Sequence, residues 1–209
     1  MQYATPLTDN FLTIRQKAFA WRSSASIGRI AMAGAVTACA TGLLAQIRIP
    51  LPWTPIPLTG QTFAVLVAGA LLGKKLGALS MGMYMFAGAA GIPWFAGAAG
   101  GLAVLTGPTG GYIAGFVLAA LFVGAMADRF PLARQFWPMA GIMLAADYLL
   151  IHGLGIFQFG LWSIWISGQY SGITELLIKG TLPFLAVDAI KILAAAAVAT
   201  ALLQKDKQT

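Results

Sequence analysis

The chain has 209 residues, of which 59% are apolar and only 9% charged, with a formal net charge of +7. A soluble domain carries about 25% charged residues, so a water-solvated globule is excluded and a polytopic membrane protein is indicated. The positive balance does not point to nucleic acid, because the basic residues fall in short segments between apolar runs, and the lone Cys39 excludes a disulfide framework and a cysteine-built zinc site.

Residues 1–28 contain Arg15, Lys17 and Arg22 among polar residues and lack the apolar core of a signal peptide, so they read as a basic cytoplasmic or interfacial arm. The first apolar run is 29–47. Four prolines at 50, 52, 55 and 57 forbid a helix in the segment that follows. Runs 61–73 and 76–90 are separated by Lys74-Lys75, and each is short for a ~30 Å hydrocarbon core, which takes about 20 residues. Further spans fall at 111–127, 136–157 and 181–203. Segment 158–180 mixes aromatics and glycines with Glu175 and Lys179 and fits a short interfacial helix. The pattern predicts an all-α integral membrane protein, six transmembrane helices in one compact bundle over 29–203, with a tail at 204–209.

Between the third and fourth spans, residues 91–116 hold glycines at 91, 97, 100, 101, 107, 110, 111 and 115 and no charge. Each glycine costs about 1 kcal/mol against alanine inside a helix. An uncharged, glycine-bent segment that carries Trp94, Phe95 and Tyr112 reads as backbone folded closely against something. Irregular backbone at membrane depth is tolerated where it is buried or lines a cavity. A cavity wall is therefore expected here.

With the N-terminus inside, the cytoplasmic side holds Arg15, Lys17, Arg22, Arg29, Lys74, Lys75, Arg129, Arg134, Lys205 and Lys207, against Arg48 and Lys179 outside. That asymmetry places both termini in the cytoplasm of a cell membrane and segments 48–60, 91–110 and 158–180 on the outer side.

Three ionisable residues fall within the spans: Asp147, Asp188 and Lys191. Intramembrane charges cost about 2.5–3.5 kcal/mol each on insertion scales and mark functional sites by default. Asp188 and Lys191 are three apart, on one helix face, roughly 10 and 15 Å below the outer end of their span at 1.5 Å per residue. They read either as ligand contacts or as an internal ion pair. Asp147 reads equally as a functional group or a helix-packing group, and His152 as a hydrogen-bonded interfacial residue. GPTGGYIAG lacks a Gly-Lys-Ser/Thr ending and a preceding strand, so it is not a phosphate loop. No catalytic constellation and no metal site is expected. In the first span Ala31, Ala35 and Cys39 form one fourfold row of small residues and Gly34, Ala38 and Gly42 another, the pattern that lets helices approach closely.

The segments PIPLTGQTF (55–63), GIPWFAG (91–97), LTGPTGGYIAGF (105–116) and PFLAVDAIK (183–191) resemble the biotin-specific substrate-binding subunits of energy-coupling-factor (ECF) vitamin transporters. The resemblance covers about 29–203. It implies a six-helix domain that holds biotin near the outer surface, no cofactor, and docking of a membrane coupling subunit and ATPase subunits through the first-helix row at Ala31 and Ala35. It carries ligand contact onto Asp188 and Lys191. An asparagine found in some members has no counterpart in GAAGG at 97–101. The candidate ligand-binding set is Gln61, Phe95, Gly97, Thr109, Tyr112, Asp188 and Lys191. In it Asp188 can accept from the ureido group, Lys191 can donate to a ligand oxygen, Gln61 and Thr109 can add neutral hydrogen bonds, and Phe95 and Tyr112 can cover the ring. Which ligand end meets which side chain is open from sequence. The competing reading is a proton-coupled secondary transporter that uses Asp147, Asp188 and Lys191 as a relay, although no inverted repeat with two broken helices is visible.

Overall fold

A computed structural model describes residues 26–168 and 172–203; most of the basic arm and the 204–209 tail lie outside them. The first helix, α1 (Ile27–Gln46), ends at the proline-rich segment. That segment forms an antiparallel hairpin, β1 (Arg48–Leu51) and β2 (Thr54–Thr59), with Arg48 opposite Thr59 and Leu51 opposite Thr54. The prolines exclude helix as expected, but they do not exclude strand. In a two-stranded ribbon every strand is an edge, where a residue without an N–H is tolerated, and the register shifts across Pro50. Among the described residues the fold is therefore all-α except for this ribbon.

The helical stretch α2 (Gln61–Ala89) contains one non-helical residue, Gly73, at φ 76° and ψ 179°, a conformation open to glycine. The chain doubles back there. Gln61 Nε2 donates to the Tyr84 hydroxyl at 2.7 Å, although 23 residues of straight helix would separate them by about 35 Å. Runs 61–73 and 76–90 are thus the two arms of one hairpin. The turn is held by Asp128, whose Oδ2 accepts from the Lys74 amide at 3.0 Å.

Next come a short helix, α3 (Leu102–Thr106), and the central helix α4 (Gly110–Arg129). α4 begins inside the glycine-rich stretch, one residue before the expected 111, although helix propensity disfavours glycine there. Close packing overrides propensity: a Cβ on Gly111 would stand 2.2 Å from the Leu154 carbonyl, and one on Gly124 would stand 2.4 Å from the backbone at Gly73 and Lys74. Glycine lets α4 lie backbone to backbone on its neighbours.

After a 3₁₀ turn at Pro131–Arg134, helix α5 (Phe136–Ala145) passes into a π-helical turn, Ala146–His152, and on into α6 (Gly153–Ser167). This span therefore runs about ten residues beyond the expected 157. A short helix, α7 (Ile173–Gly180), a 3₁₀ turn (Leu182–Phe184) and the last helix, α8 (Leu185–Leu202), complete the described chain. Among the described residues five helical stretches are long and apolar enough to cross a membrane, and the one at 61–89 is the folded-back pair. Their outward faces carry exposed Leu43, Phe86, Leu149, Trp165 and Ile190. Apolar surface of that extent suits lipid. The core lies where α4, the α2 hairpin, the π-turn and α8 converge.

Candidate functional site

At one end of the bundle the β-ribbon, the loop 91–101, α3 and the N-termini of α2 and α4 overhang a cavity of about 320 Å³. Asp188, Lys191, Gln61, Phe95, Thr109 and Tyr112 all line it. Gly97 does not. It sits at φ 76°, and a Cβ there would stand 2.3 Å from Arg48 Nη1, so its place in the fold is a seat for the Arg48 side chain, which does line the cavity.

The floor is a polar cluster on buried residues. Asp188 is 1% exposed. Its Oδ1 lies 2.6 Å from Lys191 Nζ and its Oδ2 lies 3.0 Å from His152 Nε2. Lys191 Nζ also donates to the Thr59 carbonyl at 3.0 Å, which ties α8 to the end of β2. His152 Nδ1 lies 3.1 Å from the Gly180 carbonyl, and the Tyr112 hydroxyl donates to the same oxygen at 2.8 Å. The imidazole lies between Tyr148, stacked at 5.3 Å, and Tyr112, edge-on at 5.5 Å. An ion pair at i, i+3 is therefore present, as the spacing of 188 and 191 implies. It is one part of a network joining five elements: α8, β2, the π-turn, α7 and α4.

His152 is the residue that sequence reasoning undervalued. On a regular α-helix Asp147 and His152 would point about 140° apart, at 100° per residue. The π-turn closes its hydrogen bonds at i→i+5 and brings both to one side, with His152 Nε2 4.0 Å from Asp147 Oδ2. Asp147 is fully buried behind the floor. Its carboxylate makes no hydrogen bond among the described residues and is not part of the cavity lining. Asp147, His152 and Asp188 bring potential ligand atoms within 4.8 Å of one another. Both oxygens of Asp188 are already engaged by Lys191 and His152, so an ammonium group stands where a metal's charge would be needed.

The overhanging walls are held by neutral groups. Gln46, at the end of α1, donates through Nε2 to the Phe95 carbonyl at 3.1 Å and accepts from the Ala98 amide at 2.8 Å. Gln158 of α6 donates through Nε2 to the Leu105 carbonyl and, at 2.9 Å, to that of Gly107. Phe95 is 1% exposed and meets Tyr84 edge-on at 5.3 Å, and the Trp94 indole donates to the Tyr84 carbonyl at 2.9 Å. Both ends of the Gln61 amide are taken, by Thr59 Oγ1 and the Tyr84 hydroxyl, so Gln61 aligns the wall. Thr109 lines the cavity, and its hydroxyl makes no hydrogen bond among the described residues. Chemically, the cavity offers an anion–cation pair at the bottom, aromatic rings at the sides, neutral hydrogen-bonding groups above and a guanidinium at the rim. That combination binds and orients a small polar molecule.

The two small-residue rows of α1 part company. Gly34, Ala38 and Gly42 are buried, Gly34 beside Met83 and Gly42 beside Trp94, whereas Ala31 and Cys39 are exposed and Ala35 is half-buried.

Comparison with known proteins agrees with this layout. The sequence profile of the BioY family matches residues 16–208. A probable biotin transporter BioY of Methanothermobacter thermautotrophicus is 46% identical over 140 residues, which cover 67% of this chain and 89% of that protein. The biotin transporter BioY of Thermotoga maritima is 36% identical over 152 residues, 72% of this chain and 83% of its own. Among solved structures, the S-component for biotin from an ECF-type ABC transporter superposes with a TM-score of 0.73 over 83% of this chain and 90% of that one, at 22% identity, a likeness of fold. A family profile that matches nearly the whole sequence, together with the likeness of fold, makes this chain a member of the BioY family.

Proposed function

We propose that the chain is the biotin-binding membrane subunit of an uptake system, that it binds one biotin with high affinity in the cavity floored by Asp188, Lys191 and His152, and that ATPase-bearing partner subunits drive release inward. The observation that carries this reading is the cavity itself. A volume of about 320 Å³ lies within the range of small-molecule sites, and its lining matches the chemistry of biotin. Asp188 can accept from N–H donors, Lys191 and Thr109 can donate to acceptors, and Phe95, Tyr112, Ile113 and Phe116 can cover an apolar ring. The charge asymmetry among loops supports a cell-membrane protein whose termini lie in the cytoplasm and whose cavity opens outward. The outward small-residue row of Ala31 and Ala35 supports α1 as the docking face for a coupling subunit. The proton-relay reading has less support, because Asp188 and Lys191 are closed on each other and Asp147 stands outside the cavity.

Calorimetric titration of the detergent-purified chain with biotin tests the proposal. One ligand per chain is expected, together with a rise in thermal unfolding temperature. A folded protein that gives neither heat nor thermal shift overturns the assignment.

A further inference from the structure

Biotin carries a single charge, on the carboxylate of its tail, while its ureido end is neutral. The cavity offers two cations for that carboxylate, and they differ in how far they are already satisfied. Lys191 is at the floor, 2.6 Å from Asp188 Oδ1 and hydrogen-bonded to the Thr59 carbonyl, so its charge is met. A second acidic side chain, Asp147, lies just behind. An entering carboxylate at the floor would meet the Asp188 carboxylate already there, and like charges in a low-dielectric site repel strongly. Arg48 is the opposite case. It lines the cavity and is exposed, and its side chain makes no ion pair or hydrogen bond among the described residues. Its guanidinium rests on the backbone of Gly97, the one place on that loop where a Cβ would stand 2.3 Å from Nη1 and 2.6 Å from Cζ. A guanidinium held flat and unpaired at a rim presents a fork suited to a carboxylate.

We propose that Arg48 is the carboxylate anchor, and that biotin therefore enters ring first, with its ureido group on Asp188, Lys191 and His152 and its tail at the rim. This rests on the biotin reading above and adds the ligand's direction. The floor has the capacity for the neutral end: each oxygen of Asp188 uses one lone pair on Lys191 or His152 and retains another for an N–H donor. The predicted specificity is for the free acid over neutral biotin derivatives.

The test is a two-by-two measurement of affinity, biotin and biotinamide against the wild-type chain and Arg48→Gln, with Lys191→Met as a third protein and ligand-free thermal unfolding to verify each fold. Wild type is expected to favour biotin over the amide by about tenfold to a hundredfold, the size of one charged hydrogen-bonded contact. Arg48→Gln should bring biotin down to the amide's level and shift the amide less than threefold, while Arg48→Lys should recover part of the preference. If Arg48→Gln keeps the preference for the acid, or weakens both ligands equally, the anchor assignment is wrong. If Lys191→Met is the variant that erases the preference, the opposite direction holds. Wild-type affinity for biotin reports separately on the function reading, so the two failures are distinguishable.

Discussion

At the floor of the cavity Asp188 of α8, His152 of the π-turn and Thr59 of β2 are linked by charged groups, with Asp188 and His152 buried and Lys191 half-buried. The overhanging loop is instead fastened by the amides of Gln46 and Gln158 to its own carbonyl and amide groups. Both arrangements hold a wall in place, but they differ in what a single loss costs. Removing one member of a buried ion pair strands its partner and costs about 3–5 kcal/mol. Removing one neutral hydrogen bond near water costs about 0.5–1.5 kcal/mol. Order at the loop is distributed over many small terms, and order at the floor is concentrated in three side chains.

The sharpest way to break that contrast is the double-mutant cycle Asp188→Asn with Lys191→Met. Each single change should lower ligand-free stability by the cost of an unpaired buried charge, and the pair should restore most of it. Biotin affinity of the double variant should still fall by at least two orders of magnitude, the size of two lost charged contacts. Thermal unfolding and calorimetry read the two quantities separately, and near-wild-type affinity in the double variant would leave the pair purely structural.

Next in size is His152. Replacing it with Phe keeps an aromatic between Tyr112 and Tyr148 but removes the contact that orients Asp188 Oδ2. We expect about a tenfold loss of biotin affinity, partly recovered by His152→Gln. Equal affinity for the Phe variant and wild type would reduce His152 to packing.

At the loop, Gln158→Ala should cost only a few-fold in affinity, because it releases two carbonyls that water can satisfy. Faster amide exchange over 102–107 should accompany it. A loss as large as that of His152→Phe would show that the loop, too, depends on one side chain.

Smallest of all should be the effect of Ala31→Trp with Ala35→Trp on biotin affinity, since α1 presents these residues away from the cavity. Co-purification with an ATPase-bearing partner should fail, as a bulky side chain prevents close helix approach. Undiminished co-purification would move the docking face elsewhere.

Much of this layout was legible in the sequence, because membrane spans are read by length and apolarity, and the break at Lys74-Lys75 coincides with the reversal at Gly73. The Asp188–Lys191 pair was legible because i, i+3 spacing on a helix is a fixed geometry. What escaped depends on tertiary contact. Prolines signal non-helix equally in a loop and in a two-stranded ribbon, so the hairpin at 48–59 did not stand out. Gly111 and Gly115 fall inside the expected span at 111–127, but only the fold shows why a helix keeps them: the backbone of α6 and the π-turn presses against them. Asp147 and His152 look divergent on an α-helical wheel, and no periodicity in the sequence announces a change of turn.

That change of turn has a bearing on how the chain tolerates gains and losses of length. A π-turn is an α-turn with one surplus residue absorbed on the spot. The helix before it, Phe136–Ala145, and the fifteen residues after it, Gly153–Ser167, keep ordinary α-helical spacing. Gln158 consequently still points at Leu105 and Gly107 even though Asp147 and His152 have been brought onto one side. Chain length within Ala146–His152 is a local variable: an inserted or deleted residue there resizes one ring of hydrogen bonds and leaves the phase of the helix beyond it intact. The binding floor and the loop support are thus free to be edited independently, although one continuous helix carries both.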